Sequence, residues 1–357
     1  MGIQPEEKIN THQAVGQAES GIDAARPPSK HGKARLRNAL LALTALLGVT
    51  ASYLWLRPIR SGRFSEQSHS VLTYAEAVRG VETLDGDERS ALADYGKTIL
   101  LTHGRKTDRA IVFLHGYTSS PGQFAQLGQL FYARGYNVLI PRLPHHGFKD
   151  RLTNALTQLT AEELTLQTDH VLDIAHGLGS HVTLAGLSAG GVLAAWAAQH
   201  RSDLDSVVLI DPSFSYKSIP EFMVRPVMNL SLTLPDSFLW WDNKAKENGH
   251  TAYSYPRYSK RALAELLRLG LVLQDRATQR PPAAKSVLVI TNGNDGAVDN
   301  HMTTRVLDDW RHAGALNIHT FEFPKSYELD HDMIDPTQPK QNIKAVYPKL
   351  LELIDKI

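Results

Sequence analysis

The fold is best predicted from one short stretch, Gly186-Leu187-Ser188-Ala189-Gly190. It follows the apolar run HVTLA (181–185) and precedes the helix-forming run GVLAAWAAQH (191–200). A strand, a sharp turn and a helix in this order expose a serine at the turn, and small neighbours let the strand and helix approach each other. The free N–H groups at the start of the helix favour negative charge beside that serine. This context makes Ser188 a candidate nucleophile; the alternative is a turn of small residues that only packs.

Short apolar runs alternate with helical patterns on both sides of this turn. Several runs, such as IVFL (111–114) and VLVI (287–290), are apolar at every position, which is typical of strands covered on both faces. The alternation predicts an α/β fold with a doubly wound, mostly parallel sheet. Seven strands are predicted, at 98–102, 110–114, 137–140, 181–185, 206–210, 286–291 and 317–323.

One insertion interrupts the alternation at about 213–260. It contains Pro220, Pro226 and Pro235 and many large apolar side chains, and it shows no clear strand. An insertion of this length between two strands indicates a helical lid over a substrate, although a lengthened crossover would look the same. The candidate substrate-binding residues in this lid are Met223, Phe238, Trp240 and Trp241.

A serine hydroxyl needs a general base, and the chain has 16 histidines from which to choose. His331 comes just after the last predicted strand, and Asp295 follows the strand at 286–291. The order serine, acid, histidine is that of a Ser-His-Asp triad on a sheet of this kind. Asp211 and Asp299 stay open as alternative acids, and Asp299 is also a candidate helix cap.

Acyl transfer also needs two aimed N–H donors for the developing oxyanion. One is the backbone N–H of Ala189, directly after the serine. The other is expected from Tyr117, in the loop that follows the strand AIVFL. His115, two residues earlier, is more consistent with a structural hydrogen bond than with a second base.

Composition excludes several other classes of site. The chain has no cysteine, 38 basic and 37 acidic residues, and a net charge of +1, so neither thiolate chemistry nor a nucleic-acid partner is expected. No phosphate loop or dinucleotide fingerprint occurs. The pair His145-His146 has no further ligand at helical spacing nearby, so a loop role is expected and no metal or cofactor is predicted.

The N-terminal region departs from this soluble pattern. Residues 39–56 carry no charge and would form a helix of about 27 Å, close to the hydrocarbon thickness of a bilayer. We therefore expect a disordered polar tail (1–37), a single-pass anchor (38–57), a linker leading into the domain (58–97) and the catalytic domain (98–357). Basic residues flank both ends and slightly favour an extracytoplasmic, or in a bacterium periplasmic, catalytic domain; a cleaved signal peptide is the main alternative.

Four motifs in order carry a family resemblance: FLHGYTSSPGQF (113–124), PRLPHHG (141–147), GLSAGG (186–191), and the pair NGNDGAV (292–298) and LDHDMID (329–335). Between about residues 108 and 336 the chain resembles the α/β-hydrolase superfamily. Within it the chain is similar to the carboxylesterase, monoacylglycerol-lipase-like and serine aminopeptidase-type group. Dehalogenases and epoxide hydrolases of this fold are disfavoured, because they use an aspartate where Ser188 stands.

Together these features predict a membrane-anchored serine hydrolase that cleaves carboxylic esters with apolar acyl chains through an acyl-enzyme. The expected substrate is a small-molecule or lipid-derived ester. A peptidase or amidase with the same triad is the alternative reaction. A binding protein that keeps the fold without catalysis is the alternative from another class.

Overall fold

The computed structural model describes residues 30–59, 72–248 and 251–357. Contacts divide the chain into an N-terminal unit ending at Ser52 and a larger unit from Tyr53 to Ile357. The first 29 residues of the predicted tail lie outside the described residues. The described part of the N-terminal unit belongs to α1 (Lys30–Leu56), whose side chains from Lys33 to Ser52 are exposed. This helix begins within the predicted tail, and its Lys33–Leu56 stretch is long and apolar enough to cross a membrane.

The larger unit is built on strands that are almost wholly apolar at the centre of the sheet. In β3, β5 and most of β2 every side chain is buried, because helices cover both faces. In chain order the strands are β1 (Ile99–Leu101), β2 (Thr107–Leu114), β3 (Asn137–Ile140), β4 (Gly179–Leu187), β5 (Ser206–Ile210), β6 (Phe238–Trp240), β7 (Arg257–Ser259), β8 (Ser286–Asn292) and β9 (Ile318–Phe323).

Seven of these strands form one sheet in the order β1-β3-β2-β4-β5-β8-β9. β1 pairs antiparallel with β3, and the other neighbours are parallel. The seven predicted sheet strands are all present, and the doubly wound, mostly parallel sheet is confirmed. All parallel strands end at the same edge, where loops from different parts of the chain meet.

Nine helices of the described larger unit follow α1. They are α2 (Tyr74–Thr83), α3 (Gly122–Tyr132), α4 (Ala161–Leu178), α5 (Ala189–His200), α6 (Val224–Thr233), α7 (Asn243–Asn248), α8 (Lys260–Ala277), α9 (Asn300–His312) and α10 (Ile343–Ile354). Apolar residues of α3 and α10 fill the core on one face of the sheet. Those of α2, α4, α5, α8 and α9 fill the core on the other.

Two expectations need correction. The insertion at 213–260 is not wholly helical, because β6 and β7 pair antiparallel as a two-stranded ribbon beside α6 and α7; three-residue strands are too short to show an alternation in the sequence. The packed domain also starts before residue 98. Thr73 and Glu76 form a capping box at the start of α2, and this helix buries Ala77 and Val81 in the core. Residues 60–71 of the predicted linker lie outside the described residues.

Candidate active site

Ser188 lies where β4 passes directly into α5. Its φ of 56° and ψ of −114° belong to a region that L-residues rarely adopt. A Cβ on Gly186 would come within 2.0 Å of the carbonyl oxygen of Gly190, and one on Gly190 within 2.1 Å of that of Leu114. Only glycine fits these positions, so the expected strand-to-helix turn is present and its serine is held in a strained conformation.

His331 and Asp295 come together from the loops that follow β9 and β8. His331 Nδ1 lies 2.6 Å from Asp295 Oδ2, and Asp295 Oδ1 accepts the N–H groups of Ala297 and Val298 at 2.7 and 3.0 Å. Since an ionised carboxylate only accepts hydrogen bonds, Nδ1 is the donor. His331 Nε2 is buried and has no hydrogen-bond partner among the described residues. Nε2 is therefore the ring atom that remains for proton transfer.

The electrostatics of this pair favour a charged imidazole. Burial acts to lower the pKa of His331, but the charge of Asp295, the hydrogen bond to it, and the carboxylates of Asp332 and Asp211 raise that pKa above the ordinary imidazole value. Burial acts to raise the pKa of Asp295. The charge and hydrogen bond of His331 and the two backbone donors outweigh burial and hold that pKa below the usual carboxyl value. The carboxylate is thus built to stabilise the imidazolium.

The two alternative acids have different surroundings. Asp299 is the N-cap of α9, where its Oδ1 accepts the N–H of His301 at 3.0 Å. Asp211, at the end of β5, is fully buried; its Oδ1 accepts the N–H of Asn292 at 2.6 Å, and its Oδ2 has no partner among the described residues. Burial, reinforced by the charge of Asp295, raises the pKa of Asp211 well above the usual range. The charged form of Asp211 is therefore disfavoured.

Asp211, Asp295 and His331 also form a group of three potential metal ligands. Their ligand atoms all lie within 4.8 Å of one another. His331 Nδ1 and Asp295 Oδ2 already share a hydrogen bond, which an ion bound through these two atoms would have to displace. The donor set is better suited to orienting an imidazole than to holding a cation.

The second oxyanion donor is expected in the loop after β2, at Tyr117. The N–H of Tyr117 makes no hydrogen bond to a described residue, whereas the next residue, Thr118, is fully bonded. Thr118 has φ 63°; its N–H donates to His146 Nε2 at 3.2 Å, its carbonyl accepts the N–H of Tyr255 at 2.8 Å, and its Oγ1 accepts Trp241 Nε1–H at 3.0 Å. Ala189 is the first residue of α5, so its N–H has no acceptor one turn earlier in the helix.

Two buried histidines fix this loop. His115 Nε2 accepts the N–H of Leu143 at 3.1 Å, and His146 Nδ1 donates to the carbonyl of Pro144 at 2.7 Å. Burial lowers the pKa of His115 to about 4 and that of His146 well below the ordinary value, so both rings stay neutral. The expected structural role of His115 agrees with these contacts. The role of His146, which orients Thr118 by accepting its N–H, was not predicted from the sequence.

A cavity of about 200 Å³ opens onto Ser188 and His331. Of the four candidate lid residues, Trp241 lines it, and Met223, Phe238 and Trp240 are not among its lining residues. Side chains alternate along β6, so Phe238 and Trp240 point the same way. The guanidinium of Arg257 lies over the Phe238 ring, and Trp240 is 36% exposed. Several other residues line the cavity and were not predicted from the sequence as site residues, among them Thr118, Tyr216, Asp330, Asp332 and Gln338.

Fold and site together define an α/β protein with a strand-to-helix serine and a His–Asp pair at the edge where the parallel strands end. Residues 111–339 match the model of the alpha/beta hydrolase family. The chain belongs to this family.

Proteins that are similar to this chain include lipolytic enzymes. A thermostable monoacylglycerol lipase from Bacillus sp. (strain H-257) is 28% identical over 115 residues, which is 30% of this chain and 42% of the relative, less than half its length. A structure of LipS and LipT, two metagenome-derived lipolytic enzymes, is 20% identical with a TM-score of 0.58, covering 74% of this chain and all of the other. A soluble variant of monoglyceride lipase from Saccharomyces cerevisiae is 14% identical with a TM-score of 0.57, covering 72% and 91% of the two chains. At these identities the structural matches show the fold.

Proposed function

We propose that the protein is a serine hydrolase of carboxylic esters, with Ser188 as nucleophile, His331 as general base and Asp295 as the acid that orients it. One observation carries the proposal: Ser188 and His331 line the same cavity, and His331 is held through Nδ1 by a buried carboxylate. The lipolytic relative from Bacillus supports esters as the substrate class.

In the proposed reaction His331 Nε2 takes the proton of the Ser188 hydroxyl as Oγ attacks the acyl carbon. The N–H groups of Tyr117 and Ala189 stabilise the oxyanion. His331 then protonates the leaving alcohol, and an ester between Ser188 and the acyl group remains. Water, deprotonated by the same imidazole, attacks this ester and releases the acid and free Ser188.

Covalent labelling tests the nucleophile directly. A fluorophosphonate probe should label the wild-type protein on Ser188, and Ser188→Ala should take no label. A panel of p-nitrophenyl esters and aminoacyl amides, assayed on both proteins, then compares reaction types. Faster turnover of amides than of any ester would favour a peptidase instead, and the absence of labelling and of turnover would favour a non-catalytic binding protein.

We further propose that α1 anchors the enzyme in a membrane with the catalytic domain outside the cytoplasm. The support is the length and apolar character of Lys33–Leu56. The uncharged stretch 39–56 is preceded by four basic residues and followed by three, which favours this orientation only slightly: Lys30, Lys33, Arg35 and Arg37 before it, and Arg57, Arg60 and Arg63 after it. Protease added to intact spheroplasts should digest the catalytic domain. Digestion that occurs only after lysis would reverse the orientation, and release of a shortened soluble protein would indicate a cleaved signal.

The acyl group of the substrate is proposed to be apolar. The insertion at 213–260, which we call the cap, is proposed to cover it. Trp241 and Tyr216 bring aromatic surface from the cap to the cavity, and each buried CH₂ of a substrate contributes about 0.8 kcal/mol. The value of kcat/KM should therefore rise from acetyl to medium-chain esters. A preference for acetyl esters would contradict this proposal while leaving the ester hydrolase itself intact.

A further inference from the structure

The charge of the catalytic cavity is unusual for a site that stabilises an oxyanion. Two carboxylates, Asp330 and Asp332, line it on either side of His331, and no lysine or arginine is among the described lining residues. Lys217 is near in sequence to the cap's start, but its ammonium donates to the backbone carbonyl of Asp295. The wall of the cavity around His331 is therefore negatively charged.

Asp332 lies close to the reacting atoms. Gly116 belongs to the loop after β2 that carries Tyr117, the oxyanion loop. A Cβ built on Gly116 would be 3.6 Å from Ser188 Cβ and 3.8 Å from Asp332 Oδ1. The other oxygen, Oδ2, accepts the amide of Gln338 at 2.9 Å, and Asp332 makes no ion pair with a described basic residue. A carboxylate in this place disfavours a developing oxyanion, because like charges repel strongly where water is excluded. A positive charge on the substrate would remove this penalty.

The remaining walls suit a cation as well. Tyr117, Tyr216 and Trp241 bring aromatic rings to the cavity. Two of their polar groups are occupied elsewhere: the Tyr117 hydroxyl donates to the carbonyl of Ser259 at 2.8 Å, and Trp241 Nε1–H donates to Thr118 at 3.0 Å. Aromatic surfaces combined with carboxylates are the chemistry that recognises ammonium groups.

Independently of these charges, a nucleophile is presented to the same space. Ser188 is 6% exposed and its hydroxyl has no hydrogen-bond partner among the described residues. A ligand that reaches this hydroxyl therefore enters the cavity that the carboxylates and the rings line. Recognition of charge and the reaction itself would take place within one small cavity.

We propose that the enzyme selects esters that carry an ammonium group near the scissile bond, with Asp332 and Asp330 as counter-charges and the three rings as the apolar wall. The inference rests on the proposed ester hydrolase function and specifies its substrate class. Asp330 and Asp332 are specificity-determining residues in this proposal and take no part in bond making.

The test compares isosteric pairs of esters that differ only in charge. Butyrylcholine and 3,3-dimethylbutyl butyrate place the difference in the alcohol, and ethyl 4-aminobutanoate and ethyl pentanoate place it in the acyl group. At low ionic strength we expect kcat/KM for the charged ester to exceed that for its neutral isostere by tenfold or more in at least one pair, and the pair that responds locates the cation. Added salt should reduce the ratio.

Variants assign the preference to the cavity. Asp332→Asn should bring the charged-to-neutral ratio to within about threefold of unity, Asp332→Glu should retain the preference, and Asp330→Asn should lower the ratio. Asp108→Asn is the matched control: it removes one negative charge from an exposed side chain on β2, near the opposite edge of the sheet, and should leave the ratio unchanged. The ratio is the readout because damage to the triad would slow both esters alike.

A ratio near or below unity in both pairs for the wild-type enzyme would overturn the inference, as would a preference that survives Asp332→Asn. In these outcomes the neutral esters are still hydrolysed, so the proposed function stands. Failure of all four esters together with no fluorophosphonate labelling would instead reject the ester hydrolase itself.

Discussion

The catalytic loops and the cap surround one cavity but are built in different ways. Ser188, Asp295 and His331 each follow a strand of the parallel sheet. The N–H of Ser188 donates to the carbonyl of Ile210 at 2.9 Å, and that of Asp295 to the carbonyl of Asn292 at 3.1 Å. The cap contributes Tyr216, Val224 and Met228 to a small core that it shares with α8, and it leaves several large apolar residues exposed, among them Phe222, Leu234 and Leu239.

The cap contacts both the oxyanion loop and the loops of the proposed triad. Thr118 receives hydrogen bonds from Trp241 and Tyr255 of the cap, and the hydroxyl of Ser120 donates to the carbonyl of Tyr253 at 2.9 Å. The N–H of Ser213 donates to the carbonyl of Ser188 at 3.2 Å, and the ammonium of Lys217 donates to the carbonyl of Asp295. The sheet edge thus holds the residues of the proposed triad, whereas the cap supports the loops and the cavity wall around them. Substitutions in the two regions should therefore differ in size and in kind.

The largest effect is expected at the nucleophile and base. Ser188→Ala and His331→Ala should each reduce kcat by at least about 10⁴-fold, because the two residues act as one unit. Circular dichroism and thermal melting should show a folded protein. Turnover by Ser188→Ala comparable with that of the wild type would place the nucleophile elsewhere.

The two buried acids should differ sharply. Asp295→Asn removes the charge that stabilises the imidazolium and should lower kcat by about 10²- to 10⁴-fold. Burial raises the pKa of Asp211 and disfavours its charged form, and an amide resembles a neutral carboxyl, so Asp211→Asn should cost less than about tenfold. Steady-state kinetics of both variants with one ester measure the two losses of kcat. A larger loss in Asp211→Asn than in Asp295→Asn would assign the orienting acid to Asp211.

The pH dependence sharpens the same contrast. His331 accepts a proton only when neutral, so kcat/KM should increase with pH through its pKa. Although burial opposes the shift, Asp295 and its neighbours raise that pKa above 6.5, so the ascending limb of the wild type should lie above this value. In Asp295→Asn burial should dominate, and the limb should move to lower pH. A limb below pH 6.5 in the wild type would contradict the ion-pair geometry.

The smallest effects are expected in the cap, between adjacent tryptophans. Trp241→Ala removes a cavity wall and the hydrogen bond to Thr118, and should both lower kcat/KM by about tenfold and flatten its increase with acyl chain length. Trp240→Ala, at a more exposed side chain that does not line the cavity, should change either property by less than about twofold. Equal effects of the two variants on p-nitrophenyl esters of graded length would show that the cap rearranges in solution.

Much of the sheet could be predicted because its strands are covered on both faces and read as continuous apolar runs. The helical content of the cap was overestimated, since β6 and β7 are three residues long and 16 residues apart. The point within 58–97 at which the chain enters the domain is hard to predict for a similar reason. A single short amphipathic helix such as α2 shows its role only when Ala77 and Val81 are seen to contact the core.

The α/β fold, the candidate nucleophile and the order of the site residues could be predicted from the sequence alone, because strand-to-helix turns and loop motifs are local and are encoded by neighbouring residues. The three-dimensional structure was needed to see which aspartate bonds to His331, that Asp211 is fully buried, and that Trp241 rather than Trp240 faces the cavity. These outcomes depend on distances and burial between segments far apart in the chain, and on the direction in which a short strand points its side chains. Residues that are neighbours in the sequence do not encode these distances, this burial or this direction.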